Sequence, residues 1–141
     1  MLFGLVGSEM CIRDSYGCAA GLDMTRRDLQ NKAKENRKPW DTAKDVDESA
    51  VITPLRQMSE VPSVASGRIH LSQNGTIKQD ADLSEMVWSV PEIIADLSTM
   101  YTLQQGDVIY MGTPAGVGAV SRGDVLTGGV EGIGDFEVKI A

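Results

Sequence analysis

The sequence predicts a single α+β domain that is mainly β: a β-rich roll or barrel with helices on its outside. Short strand-like segments outnumber helical ones, and Gly-Asp turns such as Gly106-Asp107 and Gly123-Asp124 separate them. The 141 residues are enough for one compact domain. With 42% hydrophobic and 23% charged residues, the composition is typical of a folded globular protein.

The first fifteen residues differ from the rest, because they show neither helical nor strand periodicity. We interpret residues 1–15 as a non-native or disordered leader and residues 16–141 as the domain. Within the domain, the small apolar residues of Tyr16–Leu22 predict a buried strand. Thr25 and Asp28 resemble a capping box, so we expect a helix over about 26–36 that ends before Pro39.

The middle of the chain predicts a loop and three strands. Trp40–Lys44 leads into a loop, and Ser49–Thr53 has the composition of a strand. Arg68–Gln73 alternates apolar and polar residues, as a half-buried strand does. Asn74-Gly75 is a strong hairpin signal, with Thr76–Gln79 as the return strand.

The last third predicts one helix and further strands. Ser89–Glu92 reads as a capping box with a proline near the helix start. The apolar face of that helix would comprise Val90, Ile93, Ile94, Leu97 and Tyr101. A strand over Gly106–Met111 then enters the glycine-rich loop Gly112–Gly118, and the final strand pair is predicted at Val130–Gly134 and Phe136–Ile140.

Charge and cysteine content exclude several classes of function. The formal net charge is −7 and there is no basic tract, which argues against nucleic acid or an anionic membrane as a partner. No apolar run approaches the roughly 18 residues of a membrane span. Two cysteines are too few for a disulfide framework, so we expect a cytoplasmic protein.

A candidate binding site begins at Asp23, where a strand gives way to a helix. Arg27 and Gln30 are three residues apart, so they share a helical face that can point toward Asp23. A carboxylate, a guanidinium and an amide together suit an anionic, oxygen-rich substrate on a hard cation. The alternative is that Asp23 merely binds helix N–H groups and pairs with an arginine.

Three other residues could take part in chemistry. Lys44 could stabilise a developing enolate, although it could equally be a solvated loop lysine. In the glycine-rich loop, backbone N–H groups and the Thr113 hydroxyl could bind a carboxylate, whereas such glycines also serve simple turns. His70, the only histidine, lies in an alternating strand and is expected to be structural or exposed.

Several short motifs follow one another in a characteristic order over nearly all of residues 16–141. They are Gly21–Gln30, Pro39–Lys44, Asn74–Gln79 with Met86, Leu103–Ile109, Gly112–Gly118 and Glu131–Gly134. Their order resembles the fumarylacetoacetate hydrolase family, and the sequence of residues 23–28 is most similar to the acylpyruvase and fumarylpyruvate hydrolase branch of that family.

The resemblance implies a mixed β-roll, here incomplete at its N-terminal side, and a homodimer in the full-length protein. It implies that Asp23 binds Mg²⁺ or Mn²⁺, that Lys44 steadies an enolate, and that Arg27, Gln30 and Thr113 bind substrate. Two further metal-binding glutamates and a water-activating histidine would precede this chain, so we expect the chain alone to be inactive.

The implied activity is metal-dependent hydrolysis of a C–C bond in a small diketo acid, such as an acylpyruvate. Oxaloacetate decarboxylation and 2-hydroxydienoate isomerisation use the same enolate and stay open as alternatives. A fragment that only binds a partner is a third possibility.

Overall fold

Strands dominate the computed structural model, which describes residues 2–5 and 15–141. In chain order the strands are β1 (Leu2–Leu5), β2 (Ser15–Ala19), β3 (Gly21–Asp23), β4 (Ala50–Ile52), β5 (Arg56–Gln57), β6 (Arg68–Gln73), β7 (Thr76–Asp82), β8 (Val108–Tyr110), β9 (Val125–Val130) and β10 (Gly134–Lys139). The α-helices are α1 (Arg27–Glu35), α2 (Asp41–Lys44) and α3 (Val90–Met100), and short 3₁₀ turns occupy Met58–Glu60 and Leu83–Glu85.

These strands form two four-stranded sheets and one separate pair. The first sheet has the order β5-β2-β1-β8, the second has the order β10-β9-β6-β7, and β3 pairs with β4. Every pairing within the described residues is antiparallel. The predicted α+β, mainly β fold is confirmed.

The β6–β7 hairpin follows the sequence closely. Asn74 and Gly75 have φ angles of 52° and 78°, as a tight turn with two left-handed residues requires. β7 continues beyond the predicted end at Gln79 to Asp82. The Arg68 guanidinium binds both Asp80 carboxylate oxygens at 2.7 and 3.0 Å, which ties the extended part of β7 to the start of β6.

One member of the predicted last strand pair is wrong, whereas the other, Phe136–Ile140, largely matches β10. Val130–Gly134 was expected as a strand, but its central residue Gly132 has φ 71° in the turn that joins β9 to β10. The preceding Gly128 and Gly129 conceal β9 in the sequence, because glycine is a poor strand former. They are needed there, since a Cβ at Gly128 would lie 2.6 Å from the His70 carbonyl oxygen on β6.

Helix α3 begins at the predicted capping box. The Ser89 N–H donates to the Glu92 carboxylate at 2.7 Å, and the Ser89 hydroxyl accepts from the Glu92 N–H at 3.4 Å. Val90 and Ile94 are buried, as the apolar face predicts. Tyr101 does not belong to that face: it is the C-terminal cap in extended conformation and is 62% exposed.

Two expectations around the first helix are also wrong. Thr25 does not cap it: the N-cap is Arg26 without a side-chain hydrogen bond, and the Thr25 hydroxyl instead accepts from Lys44. Asp41–Lys44, expected as loop, forms the single helical turn α2. The Arg26 N–H donates to the Ala43 carbonyl at 3.0 Å, and this backbone hydrogen bond connects α2 to the start of α1.

The structure describes only part of the predicted leader, residues 2–5 and 15. Leu2–Leu5 form β1, which lies between β2 and β8, with Leu2 opposite both Ala19 and Tyr110. The edge of a strand presents N–H and C=O groups that any extended segment can pair with, so no side-chain pattern is required. Residues 1 and 6–14 lie outside the described residues, and the non-native origin of the leader stays a prediction.

The hydrophobic core joins α3 to both larger sheets. Burial raises the pKa of the Cys18 thiol in this core. None of the helices in the described ranges is long and apolar enough to cross a membrane. The buried core residues are Cys18, Ala20, Leu83, Val90, Ile94, Met111, Val130 and Ile133.

Asp124 connects the tip of the β6–β7 hairpin to the start of β9. Its carboxylate accepts from the Ser121 N–H at 2.7 Å, the Gln73 amide at 2.6 Å and the Asn74 amide at 2.8 Å. These hydrogen bonds, that to the Ser121 N–H foremost, hold the pKa of Asp124 below its usual value. A carboxyl group whose pKa is lower in the folded than in the unfolded state stabilises the fold. This stabilisation is fully present at pH values above the unfolded-state pKa and is lost as the pH falls through the folded-state pKa.

We therefore expect Asp124→Asn to lower the free energy of unfolding at neutral pH and to reduce the loss of stability below about pH 4. Urea unfolding of both proteins between about pH 7 and pH 2.5 measures this difference. Asp96→Asn, at an exposed position on α3, is the control. If the free energy of unfolding depended on pH in the same way for Asp124→Asn and for the unsubstituted chain, the role of this carboxylate would be contradicted.

Candidate functional site

A cavity of about 450 Å³ brings together all five residues selected from the sequence. This volume lies in the usual range for small-molecule sites. The elements that line it are β3, α1, α2, the β6–β7 hairpin, β9, β10 and the loop after β8. The predicted residues in its wall are Asp23, Arg27, Gln30, Lys44 and Thr113.

The backbone on both sides of Asp23 fixes its position. Asp23 is the last residue of β3 and pairs with Ala50 of β4. The next N–H, that of Met24, donates to the Ser49 carbonyl at 2.9 Å. The Asp23 side chain is 49% exposed, so a rigid strand end presents a solvent-accessible carboxylate to the cavity.

Lys44 reaches Asp23 from the end of α2. Its ammonium donates to Asp23 Oδ1 at 2.6 Å and to Thr25 Oγ1 at 2.8 Å. Its backbone is held as well, because the Ser49 hydroxyl donates to the Lys44 carbonyl at 3.1 Å. Lys44 is therefore an anchored side chain of the cavity rather than a solvated loop lysine.

Arg27 and Gln30 form a second polar pair, on the first turn of α1. Arg27 Nη1 donates to Gln30 Oε1 at 2.6 Å, and Gln30 is only 5% exposed. Because Gln30 is held by its packing, it orients the guanidinium in the cavity wall. The three-residue spacing predicted that the two residues share a helical face, and the hydrogen bond between them is an addition from the structure.

Thr113 belongs to a loop that is pressed against β7. The Gln79 amide donates to Thr113 Oγ1 and to the Pro114 carbonyl, both at 2.8 Å. At Gly116, φ is 102°, and a Cβ there would lie 1.9 Å from the Lys78 carbonyl oxygen. The glycine therefore permits a close backbone contact between this loop and β7, and the contact holds Thr113 at the cavity.

Three further residues of the cavity had no role predicted from the sequence: Lys78, Gln79 and Tyr110. Gln79 belongs to a motif of the family resemblance, and Tyr110 directly precedes the Met111-Gly112-Thr113 segment. Burial, and then the negative charge of Asp23, raise the pKa of the Tyr110 phenol. Tyr110 is therefore a protonated hydroxyl beside the carboxylate.

His70 also lies in the cavity wall, although it was expected to be structural or exposed. It is half-buried in β6, opposite Asp80 of β7. The structure places it at the site.

The cavity carries more positive than negative charge. Its lining includes the cations Arg27, Lys44 and Lys78, and Asp23 is the carboxylate among the lining residues that the structure describes. The chain as a whole has a net charge of −7. The local field at the site therefore favours an anionic ligand although the protein is acidic.

A second cavity of about 460 Å³ shares Ile69, Gly112 and Thr113 with the first. It is more apolar, with Met86, Trp88, Ile93, Met111 and Pro114 in its wall. Its acidic residues already have partners. Asp80 binds Arg68, Asp82 accepts from the Gly67 and Ser84 N–H groups, and Glu85 accepts from the Asp82 N–H. The first cavity differs in that its wall contains the three cations Arg27, Lys44 and Lys78 as well as the predicted residues.

Comparison with known protein families gives a match over residues 16–141 to the fumarylacetoacetate (FAA) hydrolase C-terminal model. The chain belongs to the fumarylacetoacetate hydrolase family. The resemblance found in the motifs is confirmed.

Relatives within the family differ in their named activities. The chain is 52% identical over 125 residues to a fumarylpyruvate hydrolase from Ralstonia sp.. That match covers 89% of the chain and 65% of the relative. It is 36% identical over 124 residues to the mitochondrial oxaloacetate tautomerase FAHD1 from Rattus norvegicus. That match covers 88% of the chain and 56% of the relative. The chain thus spans less than two thirds of the length of these relatives.

The fold matches solved structures of the family. The crystal structure of fumarylpyruvate hydrolase from Pseudomonas aeruginosa in complex with Mn²⁺ and pyruvate superposes with a TM-score of 0.93 at 37% identity. The match covers 99% of this chain and 63% of that one.

Asp23 has the chemistry to hold a hard divalent cation in this family member. A carboxylate oxygen is a preferred ligand of Mg²⁺ and Mn²⁺, which usually combine several such oxygens. Within residues 2–5 and 15–141 no group of three or more His, Cys, Asp or Glu side chains is placed to hold a metal ion. Asp23 therefore fits the metal as one ligand of a larger set.

The contact between the loop and β7 leads to a test with a matched control. We expect Gly116→Ala to destabilise the fold by about 1–3 kcal/mol, because it adds a Cβ at positive φ against a backbone oxygen. Gly118→Ala in the same loop should have little effect, because no atom lies within 4 Å of its Cβ position. Urea unfolding of the two variants measures the difference, and equal stabilities would contradict the assigned contact.

Proposed function

We propose that the whole protein is a metal-dependent hydrolase that cleaves a C–C bond in acylpyruvates, with fumarylpyruvate as the type of substrate. The observation that carries this proposal is the convergence of Asp23, Lys44, Arg27, Gln30 and Thr113 on one cationic cavity. The similarity to fumarylpyruvate hydrolases, one of them solved with Mn²⁺ and pyruvate, supports the same substrate class.

The donors of the cavity suit a substrate rich in anionic oxygen. An acylpyruvate carries a carboxylate beside a carbonyl, with a second carbonyl two carbons away. The Thr113 hydroxyl would donate to the carboxylate, and Arg27, oriented by Gln30, would bind a further oxygen. Mg²⁺ or Mn²⁺, held by Asp23 and further oxygen ligands, would supply Lewis-acid polarisation of the carbonyls.

In the proposed reaction, water adds to the carbonyl distal to the carboxylate. The C–C bond on the pyruvate side of that carbonyl then breaks, and its electron pair passes to the pyruvate portion as an enolate. The acyl portion leaves as a carboxylic acid, and protonation of the enolate carbon gives pyruvate. Lys44 would stabilise this charge, and the hydrogen bond from its ammonium to the Asp23 carboxylate in the cavity supports that role.

A second candidate is an isomerisation or decarboxylation of oxaloacetate. The similarity to the rat oxaloacetate tautomerase favours it, and oxaloacetate gives the same enolate-type charge beside a carboxylate. The residues proposed for the hydrolase would serve this reaction too, without addition of water. A homodimer and a cytoplasmic location also stay predictions for the whole protein.

A substrate panel tests the proposed activity. The chain from Tyr16 onward should be assayed after extension at its N-terminus with the upstream region of the Ralstonia relative, beside the 141-residue chain. With Mn²⁺ we expect the extended protein to convert fumarylpyruvate to fumarate and pyruvate.

Asp23→Ala should abolish that turnover because the metal loses a carboxylate, whereas Asp47→Ala, at an exposed position, should not. Exclusive action on oxaloacetate would favour the second candidate.

Lys44 should affect turnover more than metal binding. We expect Lys44→Ala in the extended protein to lower kcat by about a hundredfold, because it removes a donor to charge that develops during the reaction. The Mn²⁺ affinity should be kept or increase, since a cation is removed from beside Asp23. Lys38→Ala, exposed beyond the end of α1, is the control. An unchanged kcat, or loss of Mn²⁺ binding, would contradict the role given to Lys44.

A further inference from the structure

The carboxamide of Gln79 connects the inner face of β7 to the glycine-rich loop. Gln79 is only 6% exposed. Its Nε2 donates at 2.8 Å both to Thr113 Oγ1 and to the Pro114 carbonyl oxygen. Both N–H groups of the amide are therefore engaged with adjacent residues of one loop.

Pro114 determines which way this amide faces. A carbonyl oxygen can only accept a hydrogen bond. If the amide were turned over, Gln79 Oε1 would face the Pro114 oxygen, and two acceptors would oppose each other inside a buried contact. The N–H side must therefore face the loop, and the Thr113 oxygen must accept.

This arrangement determines what the Thr113 hydroxyl can do. A threonine hydroxyl has one proton to donate and two lone pairs that accept. Since Gln79 engages a lone pair, the proton is directed elsewhere, and the described residues give it no acceptor within hydrogen-bonding distance. Thr113 therefore presents a hydrogen-bond donor to the cavity.

We infer that Gln79 is a positioning residue that turns Thr113 into a donor. This part of the site then binds a carboxylate more strongly than the corresponding amide, whose uncharged carbonyl oxygen accepts a weaker hydrogen bond. The inference rests on the proposed function and deepens it, because it identifies what recognises the acid group of the substrate. The geometry around Gly116 supports it. A Cβ there would lie 3.3 Å from Gln79 Cγ, so the loop packs directly on this side chain.

The first measurement needs no ligand and uses the 141-residue chain. In its NMR spectrum the two side-chain amide protons of Gln79 should exchange slowly with solvent. Thr113→Val, which keeps the shape but removes the oxygen, should shift one of them strongly. Rapid exchange of both protons, or no response to Thr113→Val, would overturn the hydrogen-bond assignment whether or not the protein is a hydrolase.

The second measurement tests selection between pyruvate and pyruvamide, through NMR titrations of the same chain at about pH 5 and pH 8. The variant is Gln79→Glu. When ionised, its carboxylate can only accept, so it should take the Thr113 proton and turn the hydroxyl into an acceptor. We expect the preference for pyruvate to fall about tenfold at the higher pH, as loss of a charge-assisted hydrogen bond implies. Burial raises the pKa of a glutamate, so protonation should restore the preference at the lower pH.

The double variant Gln79→Glu/Thr113→Val separates this mechanism from simple charge repulsion. If Gln79 acts through the Thr113 proton, the pH-dependent loss of preference should disappear in the valine background. The same loss in both backgrounds would overturn the inference, and so would an unchanged preference in Gln79→Glu at pH 8. If neither compound perturbs Thr113 in the unsubstituted chain, its donor role is wrong, and turnover by the extended protein then decides the proposed function separately.

Discussion

The candidate site depends on how the chain leaves one sheet and enters the β3–β4 pair. At Ala20, which is fully buried between β2 and β3, the N–H donates to the Thr53 hydroxyl at 3.1 Å and the carbonyl accepts from the Thr53 N–H at 3.0 Å. A buried peptide group without partners is costly, so this two-way bond allows the strand to be interrupted inside the core. The interruption redirects the chain, and Asp23 reaches the cavity at the end of a short, paired strand. The helix with Arg27 and Gln30 then starts from a fixed point.

Local signals were sufficient wherever one segment determines its own structure. The Asn74-Gly75 turn and the Ser89 capping box need only a few neighbouring residues, and both were predicted correctly. The errors occurred where distant residues compete for the same group. Thr25 looks like a helix cap in the sequence, but Lys44, nineteen positions away, takes its hydroxyl. Such a contact cannot be read from spacing, because it exists only after α1 and α2 have packed together.

The site itself was predicted in its members but not in its connections. Spacing placed Arg27 and Gln30 on one helical face, and the family resemblance added Lys44 and Thr113. Neither gave a reason for the buried amide of Gln79, because a glutamine in a strand is usually an exposed polar residue. Its role depends on a loop 34 residues further along the chain. Net charge was equally uninformative, since three cations gather at the cavity of a protein with a charge of −7.

The pair of Lys44 and Asp23 is better explained as an exchangeable contact than as a stabilising one. Its side chains are 33% and 49% exposed, and ion pairs of that kind contribute only about 0–1 kcal/mol to stability. The hydrogen bond uses Asp23 Oδ1, and the ammonium is also bound by Thr25. A divalent cation that binds Asp23 would therefore displace little stabilising energy. The Lys44 ammonium, still bound to Thr25, would then stay in the cavity with an N–H group that can donate to another acceptor. On the proposed function, that acceptor is an anionic oxygen of the substrate. The weakness of the pair is thus consistent with a site that changes partners.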